Sequence, residues 1–477
     1  MLRATGACAQ DAEDEMTAPS DRGPAYRRWL ASQTVSVVGL ARSGVAAARL
    51  IRRLGGRVLA SDTASREALA APVRELEALG AAVWTGGHPD AAFEGADLVV
   101  VSPGVPPTIS ALGHARARGV PVIGELELAW RVVRADTIAI TGTNGKTTTT
   151  ALTGELLRAQ PRPLLVGGNI GAPLSEHALE LPDQALVVAE ASSFQLETTE
   201  LFRPRVAAVL NVTPDHLDRH GSFEAYVEAK TRIFANQTWA DCAVLNADDP
   251  VAASLAPRAR GRVLWFSRSG APEPGVFVRD GSIVSTLGGR PEPICPVGVI
   301  TLRGRHNVEN VLAATACALW AGVPPEAIRR GIAAFQGVAH RLERVRDLRG
   351  VSFYNDSKGT NVDSTIRALE SFTEPIVLIA GGKGKGQDFT PLAAAARGRV
   401  RHAVLIGEDG PKIRPVLSAA GIAVEEAASM GEAVRAAQGA ARAGDVVLLS
   451  PACASLDMFR NFEHRGDVFK AVVRELD

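Results

Sequence analysis

The stretch that decides the fold reads Thr137-Ile-Ala-Ile140, then Thr141-Gly142-Thr143-Asn144-Gly145-Lys146-Thr147-Thr148. A β-branched apolar run that breaks into a Gly-Lys-Thr turn and resumes with helical spacing predicts a phosphate loop between a buried strand and a helix. Glycines let backbone N–H groups turn inward onto phosphate oxygens, the lysine adds a point charge, and the hydroxyl binds magnesium. The match is incomplete, because Ile140 stands where the general pattern has its first glycine. The competing reading is a plain polar strand-to-helix turn.

Outward from this loop the same alternation continues. Upstream, Thr34-Val-Ser-Val-Val38 runs into Gly39-Leu-Ala-Arg-Ser-Gly44 and a helical stretch to about Arg53. Further strands are expected from Arg57 to Ser61, ending at Asp62, and from Leu98 to Ser102, with the unit closing near Gly124. Downstream, strands are expected from Ala185 to Val188, Val206 to Leu210, Ala243 to Leu245 and Val263 to Phe266. Hairpins between Gly270 and Pro296 and a helix from Asn307 to Trp320 follow. A third unit starts near Val338, with strands Ser352 to Tyr354, Ile376 to Ile379, Ala403 to Ile406 and Val446 to Leu449. Short strands alternating with helical periods predict an α/β protein of three domains. They are a Rossmann-like N-terminal domain (29–124), a central P-loop-type ATPase domain (125–337) and a Rossmann-like C-terminal domain (338–477). Residues 1–28 read as a disordered extension.

Composition agrees with three domains: the chain has 477 residues, at roughly 150 per domain. With 46% apolar and 22% charged residues it buries cores and is not dominantly disordered. Lys plus Arg and Asp plus Glu are 52 each, a zero balance that argues against coating nucleic acid or an anionic membrane. Five scattered cysteines form neither a disulfide framework nor a zinc site, so a reducing cytoplasm is expected. No apolar run is long enough to span a bilayer, and no signal-peptide core precedes residue 30.

Several polar groups sit where open α/β sheets place ligands, at strand ends. Glu190 is a candidate metal ligand, with helix capping as the alternative. Asn211-Val-Thr-Pro-Asp-His216-Leu-Asp-Arg-His220 could hold a metal or steer a phosphate, though a solvated loop explains it as well. The Gly39–Gly44 turn departs from a dinucleotide fingerprint, with Ala41 at the second glycine. It supports a nucleotide-like ligand, with Asp62 near a ribose. Asn355–Asn361, Gly381–Gly386 and Ser450–Ser455 are three polar strand-end loops in one domain and predict a shared anion site.

Together these segments resemble the Mur ligases, the ATP-dependent amide-forming enzymes of peptidoglycan assembly. The resemblance runs from about Val35 to the C-terminus and rests on eight motifs in order. They are TGTNGKTT, GGNIG (from Gly167), EASSFQLE (from Glu190), NVTPDHLDRH, RGRHNVEN (from Arg303), HRLE (from His340), NDSKGTN and SPACASLDMFRNFEHRG (from Ser450). The GLARSG turn, the GGKGKGQDF stretch and the terminal motif are most similar to the D-glutamate-adding branch. The resemblance implies substrates UDP-N-acetylmuramoyl-L-alanine, ATP and D-glutamate, an acyl-phosphate intermediate, two magnesium ions, and a monomer without nucleic-acid or membrane partners.

It also implies residue roles. Gly142, Thr143, Asn144, Gly145, Lys146, Thr147 and Thr148 cradle the ATP phosphates. Thr147 and Glu190 hold one magnesium, and His216 with Lys230 serves the second, Lys230 being carbamylated as in the matching YxxAK segment of the family. Asn307, Asn310, Arg341 and Asp356 meet the rest of ATP. Asn169 and Ser192 face the acyl end of the UDP substrate, and Ser43, Asp62 and Thr63 its uridine end. Lys358, Thr360, Lys385, Ser455, Leu456 and Phe462 hold D-glutamate. Closure about linkers near Glu125 and Val338 would bring the ligands together. The alternatives are another Mur-type or folylpolyglutamate-type amide ligase, a nicotinamide-dependent dehydrogenase, or a catalytically silent ATP-binding regulator.

Overall fold

A computed structural model describes residues 22–384 and 386–477. The first sheet contains β1 (Thr34–Val38), β2 (Arg57–Asp62), β3 (Ala82–Thr85), β4 (Leu98–Val101) and β5 (Val122–Gly124). Its order is β3-β2-β1-β4-β5 and every pairing is parallel. The chain winds outward from β1 to β3 and then returns to place β4 beside β1. That reversal opens a crevice at the carboxyl ends of β1 and β4.

The second sheet contains β6 (Asp136–Thr141), β7 (Leu164–Gly168), β8 (Leu186–Glu190), β9 (Val206–Val209), β10 (Cys242–Asn246), β11 (Arg262–Ser267), β12 (Gly275–Arg279), β13 (Ser282–Ser285) and β14 (Glu292–Pro296). The order is β14-β13-β12-β11-β10-β9-β6-β8-β7. Pairing is parallel from β7 across to β12, and the last two pairings are antiparallel hairpins. β6, flanked by β8 and β9, is fully sheltered, which explains its near-continuous apolar sequence.

The third sheet contains β15 (Glu343–Leu348), β16 (Val351–Asn355), β17 (Ile376–Gly381), β18 (Val400–Ile406), β19 (Ala423–Glu426) and β20 (Val446–Leu449), in the order β15-β16-β20-β17-β18-β19. Only β15 is antiparallel. β20 enters between β16 and β17, so the loops after these three strands emerge side by side. Apolar clusters cover both faces of this sheet, around Leu378 and Leu448 on one and Val377 and Val447 on the other.

The chain forms two compact units. One holds residues through 297 with 309–332 and carries the first two sheets; the other holds 298–308 with 333–477 and carries the third. Segment 298–308 is fastened to the third sheet's unit by Arg303. Its guanidinium pairs with Glu374 at 2.7 Å and lies 5.1 Å from the Phe372 ring centroid.

Two expectations need correction. The disordered extension does not reach residue 28, because Pro24–Ala31 is a helix whose Tyr26 and Leu30 are fully buried in the first sheet's core. Nor is Glu125 a linker, because every residue of the helix Glu125–Val132 is buried. Glu125 accepts the Ser175 N–H at 2.7 Å. Glu127 accepts the N–H groups of Glu200, Leu201 and Phe202 and pairs with Arg131 at 2.7 Å. A joint held by several buried hydrogen bonds does not hinge cheaply.

Candidate active site

The phosphate loop leaves β6 and enters the helix Lys146–Leu157. Gly145 precedes the helix at φ 83°, and a Cβ there would stand 2.2 Å from Asn310 Oδ1, so only glycine fits. The loop is laced to the segment after β9. The Asn144 N–H donates to Asn211 Oδ1 at 2.8 Å, and the Thr213 N–H donates to Thr143 Oγ1 at 3.0 Å. Thr147 and Thr148 are nearly buried at the start of the helix.

Two lysines converge on one carbonyl. Lys146 Nζ donates to Gly142 O at 2.7 Å and to Thr143 O at 2.9 Å, and Lys230 Nζ donates to Gly142 O at 2.9 Å. Lys230 is 1% exposed, on the helix Phe223–Thr231, with its Nζ 4.5 Å from the Tyr226 ring centroid. Burial first, and then the neighbouring Lys146 charge, hold its pKa well below the usual lysine value, against opposition from Asp215 and Glu190. Its amine is therefore easily made neutral. The Tyr226 hydroxyl bonds Thr143 Oγ1 at 3.1 Å and is pushed up to about 12 by burial.

Glu190 is the last residue of β8, next to β6 through the Ile140–Glu190 pairing, and is 2% exposed. Its Oε1 accepts Asn169 Nδ2 at 2.8 Å, while Oε2 is buried with no hydrogen-bond donor among the described residues. A buried, unsatisfied carboxylate oxygen at the end of the strand paired with β6 suits a hard cation. Among the described residues no three His, Cys, Asp or Glu side chains form a metal cluster. A magnesium here would take its other ligands from phosphate and water, so the donor set fits that ion. His216 lies at the rim, half-exposed, with φ 52°. Its Nε2 is 3.6 Å from Asp215 Oδ2 and its ring meets Phe194 edge-on at 4.9 Å; no described hydrogen bond joins it to Lys230.

A cleft of about 250 Å³ runs from the ends of β1 and β4 to the turn after β7. Arg42, Ser43 and Ser102 line one side, Asn169, Gly171 and Gln195 the other. The Arg42 guanidinium donates to the Gly171 carbonyl across it. Asp62 braces two turns, Oδ2 accepting the Leu40 N–H after β1 at 2.6 Å and Oδ1 the Ala64 N–H after β2 at 2.8 Å. Thr63 beside it is exposed. Ser192 caps the short helix Ser193–Leu196 in a reciprocal box with Gln195, so its hydroxyl is already engaged.

Asn307 and Asn310 lie one turn apart on the helix Arg305–Trp320 and are nearly buried. Asn310 Oδ1 accepts the Thr149 hydroxyl at 3.3 Å, which holds it against the phosphate-loop helix.

In the second unit the loops after β16, β17 and β20 do meet. Asp356 Oδ2 accepts the Ser450 hydroxyl at 2.7 Å, Ala454 and Lys383 exchange backbone bonds at 2.9 and 3.0 Å, and the Ala452 N–H donates to Gly359 O at 2.9 Å. Burial raises the Asp356 carboxyl to about 7, against the pull of Ser450 and Arg341. Lys358 Nζ lies 3.8 Å from the Phe462 ring centroid, Ser455 is buried, Leu456 is 68% exposed, and Thr360 is partly exposed beside Lys358. Lys385 lies outside the described residues.

Arg465 was missed as a site residue, although it sits inside the quoted terminal motif. It is fully buried and donates to Ser357 Oγ at 3.0 Å, Ser357 O at 2.8 Å, Cys453 O at 3.1 Å and Ala454 O at 3.3 Å. One guanidinium thus ties the loops after β16 and β20. A larger cavity of about 710 Å³ lies beside the turn after β15, near Arg349, Arg435 and the C-terminus, and contains none of the motif residues.

Comparison with known proteins agrees with this geometry. Three family descriptions match consecutive parts of the chain: "Mur ligase MurD-like, N-terminal domain" over 33–124, "Mur ligase middle domain" over 140–318, and "Mur ligase, glutamate ligase domain" over 340–453. A UDP-N-acetylmuramoylalanine--D-glutamate ligase from Acidobacterium capsulatum is 50% identical over 446 residues, spanning 93% of this chain and 96% of that protein. The enzyme of the same name from Pelotomaculum thermopropionicum is 47% identical over 443 residues, spanning 93% and 97%. Among solved structures, the UDP-N-acetylmuramate-alanine ligase MurC from Thermotoga maritima aligns with a TM-score of 0.59 at 20% identity, covering 93% of this chain and 99% of that one. MurF from Acinetobacter baumannii aligns at 0.57 and 22% identity, over 72% and 77%. At such identities the structures speak for the fold alone.

Proposed function

The chain belongs to the Mur ligase family, and on that premise we propose how its residues carry out the family's chemistry. It is an ATP-dependent, amide-bond-forming ligase that adds D-glutamate to UDP-N-acetylmuramoyl-L-alanine in peptidoglycan precursor synthesis. A carboxylate is a poor acyl donor at neutral pH, so the alanyl carboxylate first takes the γ-phosphoryl group of ATP. The D-glutamate amine then attacks the acyl phosphate and expels phosphate. Catalysis is mostly placement and charge neutralisation.

The observation that carries this assignment is the convergence of Lys146 and Lys230 on Gly142 O. Two amines on one carbonyl, Lys230 buried and Lys146 partly exposed, mark a place built for an anionic ligand. In our reading Lys146 swings from the loop carbonyls onto the phosphates, while the loop amides from Gly142 to Thr148 cradle them. Thr147 and Glu190 would hold a magnesium ion, and His216 with Lys230 a second. The ions supply charge neutralisation on the transferring phosphoryl group. Lys230 becomes an oxygen ligand by carbamylation: its neutral amine adds to carbon dioxide, forming the N–C bond and releasing a proton. The lowered lysine pKa supports that step, since an ammonium has no lone pair to give.

Asn169 and Ser192 face the acyl end of the UDP substrate, and Ser43, Asp62 and Thr63 the uridine end. Asn307, Asn310, Arg341 and Asp356 serve ATP, while Lys358, Thr360, Lys385, Ser455, Leu456 and Phe462 serve D-glutamate. The proposed domain borders fall after 124 and 337. We assign the enzyme to the cytoplasm as a monomer; no helix among the described residues is long and apolar enough to cross a membrane.

Oxygen transfer tests the acyl phosphate. With oxygen-18 in the substrate carboxylate, one label per turnover appears in released phosphate. Unlabelled phosphate would refute the intermediate.

A further inference from the structure

Beside the proposed metal site lies a chain of hydrogen-bonded, largely sheltered polar side chains that none of the assigned roles uses. His220 Nδ1 pairs with Glu197 Oε1 at 2.8 Å and His220 Nε2 bonds Ser193 Oγ at 3.0 Å, on a side chain only 1% exposed. The other Glu197 oxygen takes Arg219 Nη2 at 3.2 Å, and Arg219 also donates to Val105 O at 3.0 Å, on the loop after β4. Ser193 and Glu197 bracket one turn of helix, Ser193–Leu196. Phe194 projects from that turn and is surrounded: His216 meets it at 4.9 Å, the His220 ring at 5.5 Å, and the Arg219 guanidinium lies 4.8 Å from its centroid.

A Ser–His–Glu sequence of bonds looks like a nucleophile's activating triad, but Ser193 is 3% exposed and points into the network. The geometry serves to fix the turn instead. Among the described residues His216 makes no short side-chain hydrogen bond, its Nε2 lying 3.6 Å from Asp215 Oδ2, and it sits on a left-handed backbone. What orients its imidazole is therefore the Phe194 ring.

We propose that the hydrogen-bonded chain Ser193–His220–Glu197–Arg219 is a positioning device. It pins the turn bearing Phe194, and through that ring it sets the direction of His216 toward the ATP phosphates. This rests on the assignment of His216 to the metal site. In this arrangement Phe194 and His220 both act through His216. Removing such outer-shell support costs about 10-fold in metal affinity.

The test uses Phe194→Leu and His220→Asn in the full chain, with His216→Ala as reference. Asparagine keeps a donor near the Nδ1 position for Glu197 and drops the link to Ser193. Binding of Mn²⁺ in the presence of a non-hydrolysable ATP analogue is followed by electron paramagnetic resonance, and the His216 ring protons by NMR. The expected result is Mn²⁺ binding weakened about 10-fold in both variants, with loss of the aromatic ring-current shift at His216 in Phe194→Leu. The KM for D-glutamate should stay within about twofold. If His216→Ala weakens Mn²⁺ binding while Phe194→Leu and His220→Asn do not, the positioning role is overturned and the metal assignment stands. If His216→Ala itself leaves Mn²⁺ binding unchanged, the assignment fails and takes the inference with it.

Discussion

Replacing Lys230 by methionine separates the chemistry of that side chain from its packing. The substitution nearly conserves volume at a position 1% exposed. It removes the bond to Gly142 O, but that carbonyl keeps Lys146 Nζ at 2.7 Å, so no buried acceptor is orphaned and the loss is about 1 kcal/mol. The contact with the Tyr226 ring adds about 1 kcal/mol when the amine is charged. Against both stands the removal of a buried amine, whose charged form carries a desolvation cost on the order of several kcal/mol. The opposing contributions leave the variant within about 1 kcal/mol of the parent, or roughly 3 °C in melting temperature.

Stability should also lose a pH dependence. Burial lowers the folded-state pKa, so between that lowered value and about 10.4 the unfolded chain binds the extra proton. Parent stability therefore rises with pH through this window, and methionine flattens the slope. Activity, measured as ATP- and D-glutamate-dependent phosphate release, should fall by about 100- to 1,000-fold or more. The smaller Lys230→Ala should regain part of it when a short carboxylate such as formate is added. Activity within about tenfold of the parent would refute the metal role. Destabilisation beyond about 4 kcal/mol would show that the lysine is held charged, not neutral.

Further outcomes follow from single contacts. Arg465→Lys keeps the charge but loses the fork that joins the Ser357 and Cys453–Ala454 loops, so the KM for D-glutamate should rise about 10- to 100-fold; an unchanged KM would separate Arg465 from that site. Gly145→Ala puts a Cβ 2.2 Å from Asn310 Oδ1 at φ 83° and should cost about 1–2 kcal/mol in backbone strain alone, read as an ATP KM raised about tenfold or more. An ATP KM equal to the parent's would count against the loop geometry. Asp356 has its pKa raised from 3.8 to about 7 by burial, so between these values the folded chain binds more protons than the unfolded one. Stability should fall as pH rises from 4 to 8, by roughly 4 kcal/mol from this group. Asp356→Asn should flatten that fall in ligand-free denaturant titrations, and an undiminished slope would place its origin elsewhere.

Strands buried on both sides were readable because burial leaves unbroken β-branched runs: β1, β4, β6, β9, β17 and β20 stand within a residue or two of where the sequence puts them. The strands overlooked, β3, β5, β7, β15 and β19, are short or lie at or near sheet edges, where half-exposed positions such as Trp84, Arg346 and Val424 blur the pattern. The boundary at residue 28 was misjudged because the helix Pro24–Ala31 is only eight residues long, too short for its buried Tyr26 and Leu30 to show a sustained helical period. For the site, glycines and strand-end position revealed the phosphate loop, since backbone chemistry writes itself into sequence. Lys230 could not be distinguished from a surface lysine by its local pattern; only its motif flagged it, and only the fold shows it buried on Gly142 O. Arg465 and the His220–Glu197 pair depend on contacts between residues 108 and 23 positions apart, beyond any local period.

The acceptor decides the central claim. Phosphate release from ATP is measured with UDP-N-acetylmuramoyl-L-alanine and, in separate reactions, D-glutamate, L-glutamate or diaminopimelate. The account predicts release that requires D-glutamate and matches the amide product one for one. Release that is indifferent to D-glutamate, or that is supported by diaminopimelate instead, would contradict it.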